Sequence, residues 1–129
     1  MQINQITSII IEECIYIHKK LGPGLFESIY EEILYKKLVE RGLHVERQKT
    51  INLEFEGEYY PLAFRVDLVV NNCVLIELKS VETLPKVAEK QVLSYLRIIN
   101  LPIGLLINFN VRFLVEGIIR IANKYEEAE

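Results

Sequence analysis

Apolar positions along this chain follow two periods, and the switch between them divides it into elements. Ile6, Ile10, Cys14, Ile17 and Leu21 recur at helical spacing, so Asn4 to Leu21 reads as an amphipathic helix with Asn4 as N-cap. Gly22-Pro23-Gly24 ends it. A second helix is expected from Leu25 to Arg41, with Phe26, Ile29, Ile33, Leu34 and Leu38 toward the core and Gly42 as its C-cap. The period then drops to two. Val45–Gln48 and Thr50–Phe55 read as short strands, Glu56-Gly57 as a turn, and Glu58-Tyr59-Tyr60 as the lead-in to a hairpin. Leu84-Pro85 opens a third helix that reaches about Asn100, with Val87, Val92, Leu93, Leu96 and Ile99 on its apolar side. Ile103–Asn108 is an unbroken apolar run of buried-strand length. A strand-helix-strand return of this kind gives parallel pairing with a right-handed crossover. Phe113–Val115 and Ile118–Ala122, around Glu116-Gly117, predict a final hairpin.

The hairpin from Pro61 to Ser80 carries the charges that matter. Val66, Leu68 and Val70 alternate with Arg65, Asp67 and Val69, and Val74, Ile76 and Leu78 alternate with Leu75, Glu77 and Lys79. A two-residue turn at Asn71-Asn72 would set Asp67 beside Ile76 and mix the two faces. Adding Cys73 to the loop pairs Val70 with Val74, Asp67 with Glu77 and Arg65 with Lys79. One face is then wholly apolar, and burial selects that register because a one-residue slip would flip every side chain. The other face gathers two carboxylates and a lysine. Like charges paired across strands repel. A cation between them would relieve this, and Mg²⁺ accepts two carboxylates with water in its other positions.

Composition narrows the class. The chain has 129 residues, half of them hydrophobic, which suits one domain with a real core. Fifteen basic against eighteen acidic residues leave a net charge of −3, which argues against a protein that coats nucleic acid by bulk charge. Arg41, Arg47 and Lys49 make a modest basic cluster, either solvated or resting on a phosphate backbone. Cys14 and Cys73 lack C-x-x-C spacing and read as reduced bystanders in a cytoplasmic protein. Ile9-Ile10-Ile11 is cut short by Glu12-Glu13, so neither a signal peptide nor a membrane span is expected. Glu126–Glu129 reads as a frayed acidic tail. His18, near a helix C-terminus, is read as a partner of the helix dipole, with zinc binding or acid–base work as the alternative.

Asp67, nine intervening residues, and Glu77-Leu78-Lys79 resemble the Asp…Glu-x-Lys signature of the PD-(D/E)XK nuclease superfamily, with Val66 where the signature has proline. Gly24-x-x-Glu27-x-x-Tyr30, after His18-Lys19-Lys20-Leu21-Gly22-Pro23, is similar to the signature of the small prokaryotic GxxExxY proteins, a branch of that superfamily. Gln91-Val92-Leu93-Ser94-Tyr95 resembles the Gln-x-x-x-Tyr element that follows the Glu-x-Lys strand in exonuclease- and resolvase-like branches.

The resemblance implies a restriction-endonuclease-like α/β core: a single domain over residues 1–129, with a mixed central sheet flanked by helices. It also implies Mg²⁺- or Mn²⁺-dependent cleavage of phosphodiester bonds in DNA. Asp67 and Glu77 would hold the metal with the Leu78 carbonyl, and Glu27 would support the metal or its water. Lys79 would orient the attacking water and offset transition-state charge, with Gln91 positioning the lysine or a phosphate. Tyr95, Tyr30, Arg65 and Lys90 are implied substrate-positioning residues. No membrane partner is expected, and a homodimer stays open. The rival class is a catalytically silent nucleic-acid-binding or protein-interaction module on the same fold.

Overall fold

The structure, a computed structural model, describes residues 1–124. The expected tail at Glu126–Glu129 lies outside them. Two helices come first, α1 (Ile3–Leu21) and α2 (Glu27–Glu40). They are followed by β1 (Val45–Phe55), β2 (Glu58–Val70), β3 (Val74–Lys79), α3 (Ala88–Ile99), β4 (Ile103–Asn108) and β5 (Ile118–Ala122). The sheet runs β1-β2-β3-β4-β5, antiparallel throughout except for the parallel β3–β4 pair that α3 connects. This is a mixed sheet of the restriction-endonuclease-like kind. No helix among the described residues is long and apolar enough to cross a membrane.

Both faces of the central strands are buried, so β3 and β4 are apolar almost throughout. One core lies under α1 and α2, where Ile6, Ile10, Cys14 and Ile17 meet Leu68, Val70, Ile76 and Leu78. The other lies under α3, where Ala88, Val92 and Leu96 meet Val66, Leu75 and Leu106. Gly104 lets α3 approach β4: a Cβ there would come within 2.7 Å of the Val92 side chain.

Several expectations change. The α1 N-cap is Gln2, whose N–H donates to Gln5 Oε1 (2.8 Å), while Asn4 Oδ1 accepts from Arg120 (2.9 Å). The buried stripe of α2 is Tyr30, Glu31, Leu34 and Leu38; the helix starts at Glu27, two residues later than expected, and Phe26 and Ile29 stay exposed. Helix α3 begins at Ala88, after a turn in which Ala88 N–H donates to the Pro85 carbonyl (3.0 Å). Val45 to Phe55 is one strand, without the expected break at Lys49; the residue before it, Gln48, takes the left-handed region at φ 50°. The final hairpin does not form. Leu114–Gly117 is a short 3₁₀ helix, and β5 pairs with β4 instead. Strand β4 is buried along its whole length, so the backbone groups on its outer edge require a strand partner.

Candidate active site

The site begins where the β2–β3 ladder stops. The two strands pair from Leu68 to Val70 against Val74 to Ile76, in the register selected by the three-residue loop. Asn71 and Asn72 both take positive φ (50° and 52°), and Cys73 N–H donates to the Val70 carbonyl (3.0 Å). One residue beyond the ladder, side chains take over. Asp67 N–H donates to Glu77 Oε1 (3.0 Å), and Leu78 N–H donates to Asp67 Oδ2 (2.8 Å). Each carboxylate stands where a ladder carbonyl would otherwise accept. The expected Arg65–Lys79 pair is absent, since the ladder ends before it. The apolar alternation also slips here. Val66 packs in the α3-side core, whereas Leu68 and Val70 pack on the opposite side. The slip falls at Asp67, where the buried Glu77 and the half-buried Asp67 accept backbone N–H groups in place of ladder pairing.

Burial dominates the electrostatics. It pushes the Glu77 carboxyl from 4.5 up to about 7, with the Asp67 charge adding to the shift. The hydrogen bond from Asp67 N–H and the charge of Lys79 oppose it, and Glu27 reinforces it. Burial also raises Asp67. There the Leu78 N–H and the Gln48 side chain pull back, while Glu31 and Glu27 push further up.

The Gly24-x-x-Glu27-x-x-Tyr30 segment has a local physical meaning. Tyr30 is fully buried, stacked on Phe109 with ring centroids 4.2 Å apart. Its hydroxyl donates to the Gly22 carbonyl (2.6 Å) and accepts from Leu25 N–H (3.2 Å), clamping the α1–α2 loop. Gly24 sits at φ 95°, a conformation glycine adopts without steric cost. The clamped loop starts α2 at Glu27, whose Oε2 accepts from Ser80 N–H (3.1 Å). Ser80 Oγ donates back to the Leu25 carbonyl (2.6 Å). Glu27 is thereby fastened to the residue after Lys79, at the rim of a cavity of about 500 Å³ lined by Gly24, Leu25, Phe26, Ser80 and Asn110.

Lys79 ends β3, half-buried, and among the described residues it forms no ion pair. Asn108 pins the chain just beyond it, accepting from Val81 N–H and donating to the Val81 carbonyl. Gln91 and Lys90 are exposed on α3. Tyr95, one turn on from Gln91, stacks on Phe64 (4.3 Å); burial raises its hydroxyl pKa, and the Glu77 charge adds to the shift.

The structure therefore brings Asp67, Glu77, Lys79 and Glu27 together, with Tyr95 beside them. Tyr30 is not brought to a surface that could meet substrate. Arg65 is exposed beside Thr50, Leu62 and Phe64. The basic cluster is dispersed into ion pairs: Arg41 with Glu12 and Glu13, Arg47 with Glu31, and Lys49 with Glu46. His18 is buried, and its Nε2–H donates to the Val111 carbonyl (2.8 Å) rather than serving the helix end. Cys14 and Cys73 are free thiols, and burial raises both.

Two residues of the site escaped the sequence reading. Glu31 is buried beneath Asp67, held by Arg47 Nε (2.9 Å) and Gln48 Nε2 (2.5 Å). Its signal was the i, i+4 spacing from Glu27, which puts both acids on one helix face. Gln48 gave no signal, because nothing in a strand pattern marks a left-handed residue.

The donor set suits a hard divalent cation. Glu77 Oε2 accepts no hydrogen bond among the described residues, and each Asp67 oxygen keeps a lone pair beyond the bond it accepts. N–H and C=O of one strand residue point to the same edge, so the Leu78 carbonyl faces the gap beside Asp67. No three His, Cys, Asp or Glu side chains among the described residues converge closely enough to bind an ion unaided. Mg²⁺ does not require that, since it commonly takes one or two carboxylates and keeps its waters.

Fold and constellation define a class: a mixed α/β sheet whose paired acids and lysine lie where two central strands part. The chain belongs to the PD-(D/E)XK nuclease superfamily, whose family model matches residues 4–121. Among solved structures it is similar to SSO0001, at 14% identity and a TM-score of 0.47 over 95% of this chain and 67% of that one. A comparison with curated proteins finds no match.

Proposed function

We propose that this chain is a divalent-metal-dependent nuclease of the GxxExxY branch that hydrolyses phosphodiester bonds in DNA. One observation carries the reading: a buried carboxylate, Glu77, and a half-buried one, Asp67, on adjacent strands accept each other's strand N–H groups, with a lysine two residues on from Glu77. A fold with no ligand for this place would gain by replacing Glu77 with an apolar residue. Asp67, Glu77 and the Leu78 carbonyl would hold Mg²⁺ or Mn²⁺, with Glu27 supporting it through water. The ion would polarise the phosphoryl group and supply a nucleophilic water near neutral pH.

The chain's own residues do the rest. Glu27, tied to Ser80 N–H, is fixed at the strand end that Lys79 shares. Lys79 orients the attacking water and offsets charge on the phosphoryl oxygens. Gln91 and Tyr95 line the α3 side and steady Lys79 or a flanking phosphate.

A specific observation favours the rival, a binding module without turnover: the cations Arg41, Arg47 and Lys49 are all occupied in ion pairs. One assay separates the two. Single-stranded, nicked, branched and duplex DNA are incubated at low salt with Mg²⁺ or Mn²⁺, because weak phosphate contacts vanish at high salt. Wild type should cut at least one form. Lys79→Ala should cut on the order of a hundredfold more slowly, as when one preorganised transition-state group is removed. Cleavage by neither protein favours the module, and equal cleavage by both removes Lys79 from the mechanism.

A further inference from the structure

Gln48 is the described residue that touches both acids of the neighbouring elements. Its Nε2 donates to Glu31 Oε1 of α2 (2.5 Å) and to Asp67 Oδ1 of β2 (3.2 Å). Both neighbours are acceptors only, so the carboxamide NH₂ has to face them, and each of its two hydrogens has its own partner. Glu31 is in turn anchored by Arg47 Nε (2.9 Å). The backbone is unusual at the same place. Gln48 holds φ 50° in the interior of a strand, where a long side chain has no local reason to adopt the left-handed region. The β1–β2 register passes from Arg47↔Leu68 to Lys49↔Val66, so the step it omits is Gln48 opposite Asp67. Strain in the backbone, a gap in the ladder and a carboxamide that donates to two acids thus fall on one residue, across from one of the paired acids.

We infer that Gln48 is a positioning residue: its left-handed backbone aims the carboxamide to tie Asp67 to the Glu31–Arg47 pair and fix the Asp67 carboxylate. Oδ1 is held by Gln48 and Oδ2 by Leu78 N–H, so the carboxylate is restrained at both oxygens and its plane is set. The consequence for metal rests on the nuclease reading above; the hold on Asp67 does not.

The test uses Gln48→Gly, which keeps the positive φ and deletes the carboxamide, and Gln48→Asn, which also tolerates the left-handed region but is one methylene short. The first readout is amide hydrogen exchange of the metal-free protein, residue by residue. Leu78 N–H, which donates to Asp67, should exchange about tenfold or more faster in both variants, the scale of a lost hydrogen bond to a charged group. Amides of the regular ladder, such as Ile76, should change about twofold or less. Unchanged Leu78 protection overturns the inference. A uniform loss across the sheet overturns it too, because Gln48 would then only support the fold. The second readout is Mn²⁺ affinity by calorimetry, which should fall about tenfold in both variants, as for loss of an outer-shell partner. Wild type that binds no Mn²⁺ defeats the nuclease reading, and Leu78 exchange alone then decides the role of Gln48.

Discussion

Glu77 is a buried acid with no cation at contact distance among the described residues, and this sets how the metal-free protein responds to pH. Its carboxyl is raised from 4.5 to about 7 in the fold, chiefly by burial. Between those values the folded protein keeps a proton that the unfolded chain has released. Stability should therefore fall as pH rises through that window, with Asp67 contributing in the same direction. Urea midpoints measured from pH 4.5 to 7.5 should show the decline, and Glu77→Gln should flatten it. A midpoint that rises with pH in wild type would contradict the burial argument. Asp67→Asn is a second check at this scale. It removes a charge that raises Glu77, so metal-free stability should hold or increase while Mn²⁺-induced stabilisation disappears. A large drop in melting temperature would make Asp67 a structural partner instead. Asp67, Glu77 and Lys79 were legible because strand alternation and loop length decide which side chains meet. Glu31 shared a helix face with Glu27, but its contact with the strands, like the left-handed backbone of Gln48, is settled by tertiary packing.

The α1–α2 loop shows what one element contributes. Tyr30 was read as a residue near substrate, yet its ring is core and its hydroxyl is consumed by the loop. The Gly-x-x-Glu-x-x-Tyr pattern was visible in the sequence; that its tyrosine acts inward was not, since the pattern carries no direction. Tyr30→Phe leaves the Gly22 carbonyl and Leu25 N–H without their partner and should cost about 1–3 kcal/mol in urea unfolding. Local loosening should follow, seen as faster exchange of the Ser80 amide that Glu27 accepts. A neutral variant would mean the clamp is not what sets Glu27. On the other face, Gly104→Val would drive its side chain into Val92 and Leu96 and should cost about 1–3 kcal/mol by overpacking.

For the whole molecule, the order of elements was readable because each has its own period, and the parallel β3–β4 pair followed from the handed crossover. The last strand was read at its true position, Ile118–Ala122, but with the wrong partner, because local alternation cannot see that a buried β4 needs an edge partner. The electrostatic plan is likewise a property of the whole. The acids are concentrated where α2, β2 and β3 meet; Arg47 pairs with Glu31 alone, Arg41 and Lys49 pair elsewhere, and Lys79 makes no ion pair among the described residues. That surplus of negative charge in a desolvated place is the feature the account explains by a divalent ion. Titrating Mn²⁺ into wild type and Glu77→Gln by calorimetry at pH 7.5 tests it most directly. Wild type should bind, with its melting temperature raised as metal is added, and the folded variant should bind about tenfold or more weakly. Equal binding by both proteins, or no binding by wild type, would contradict the account.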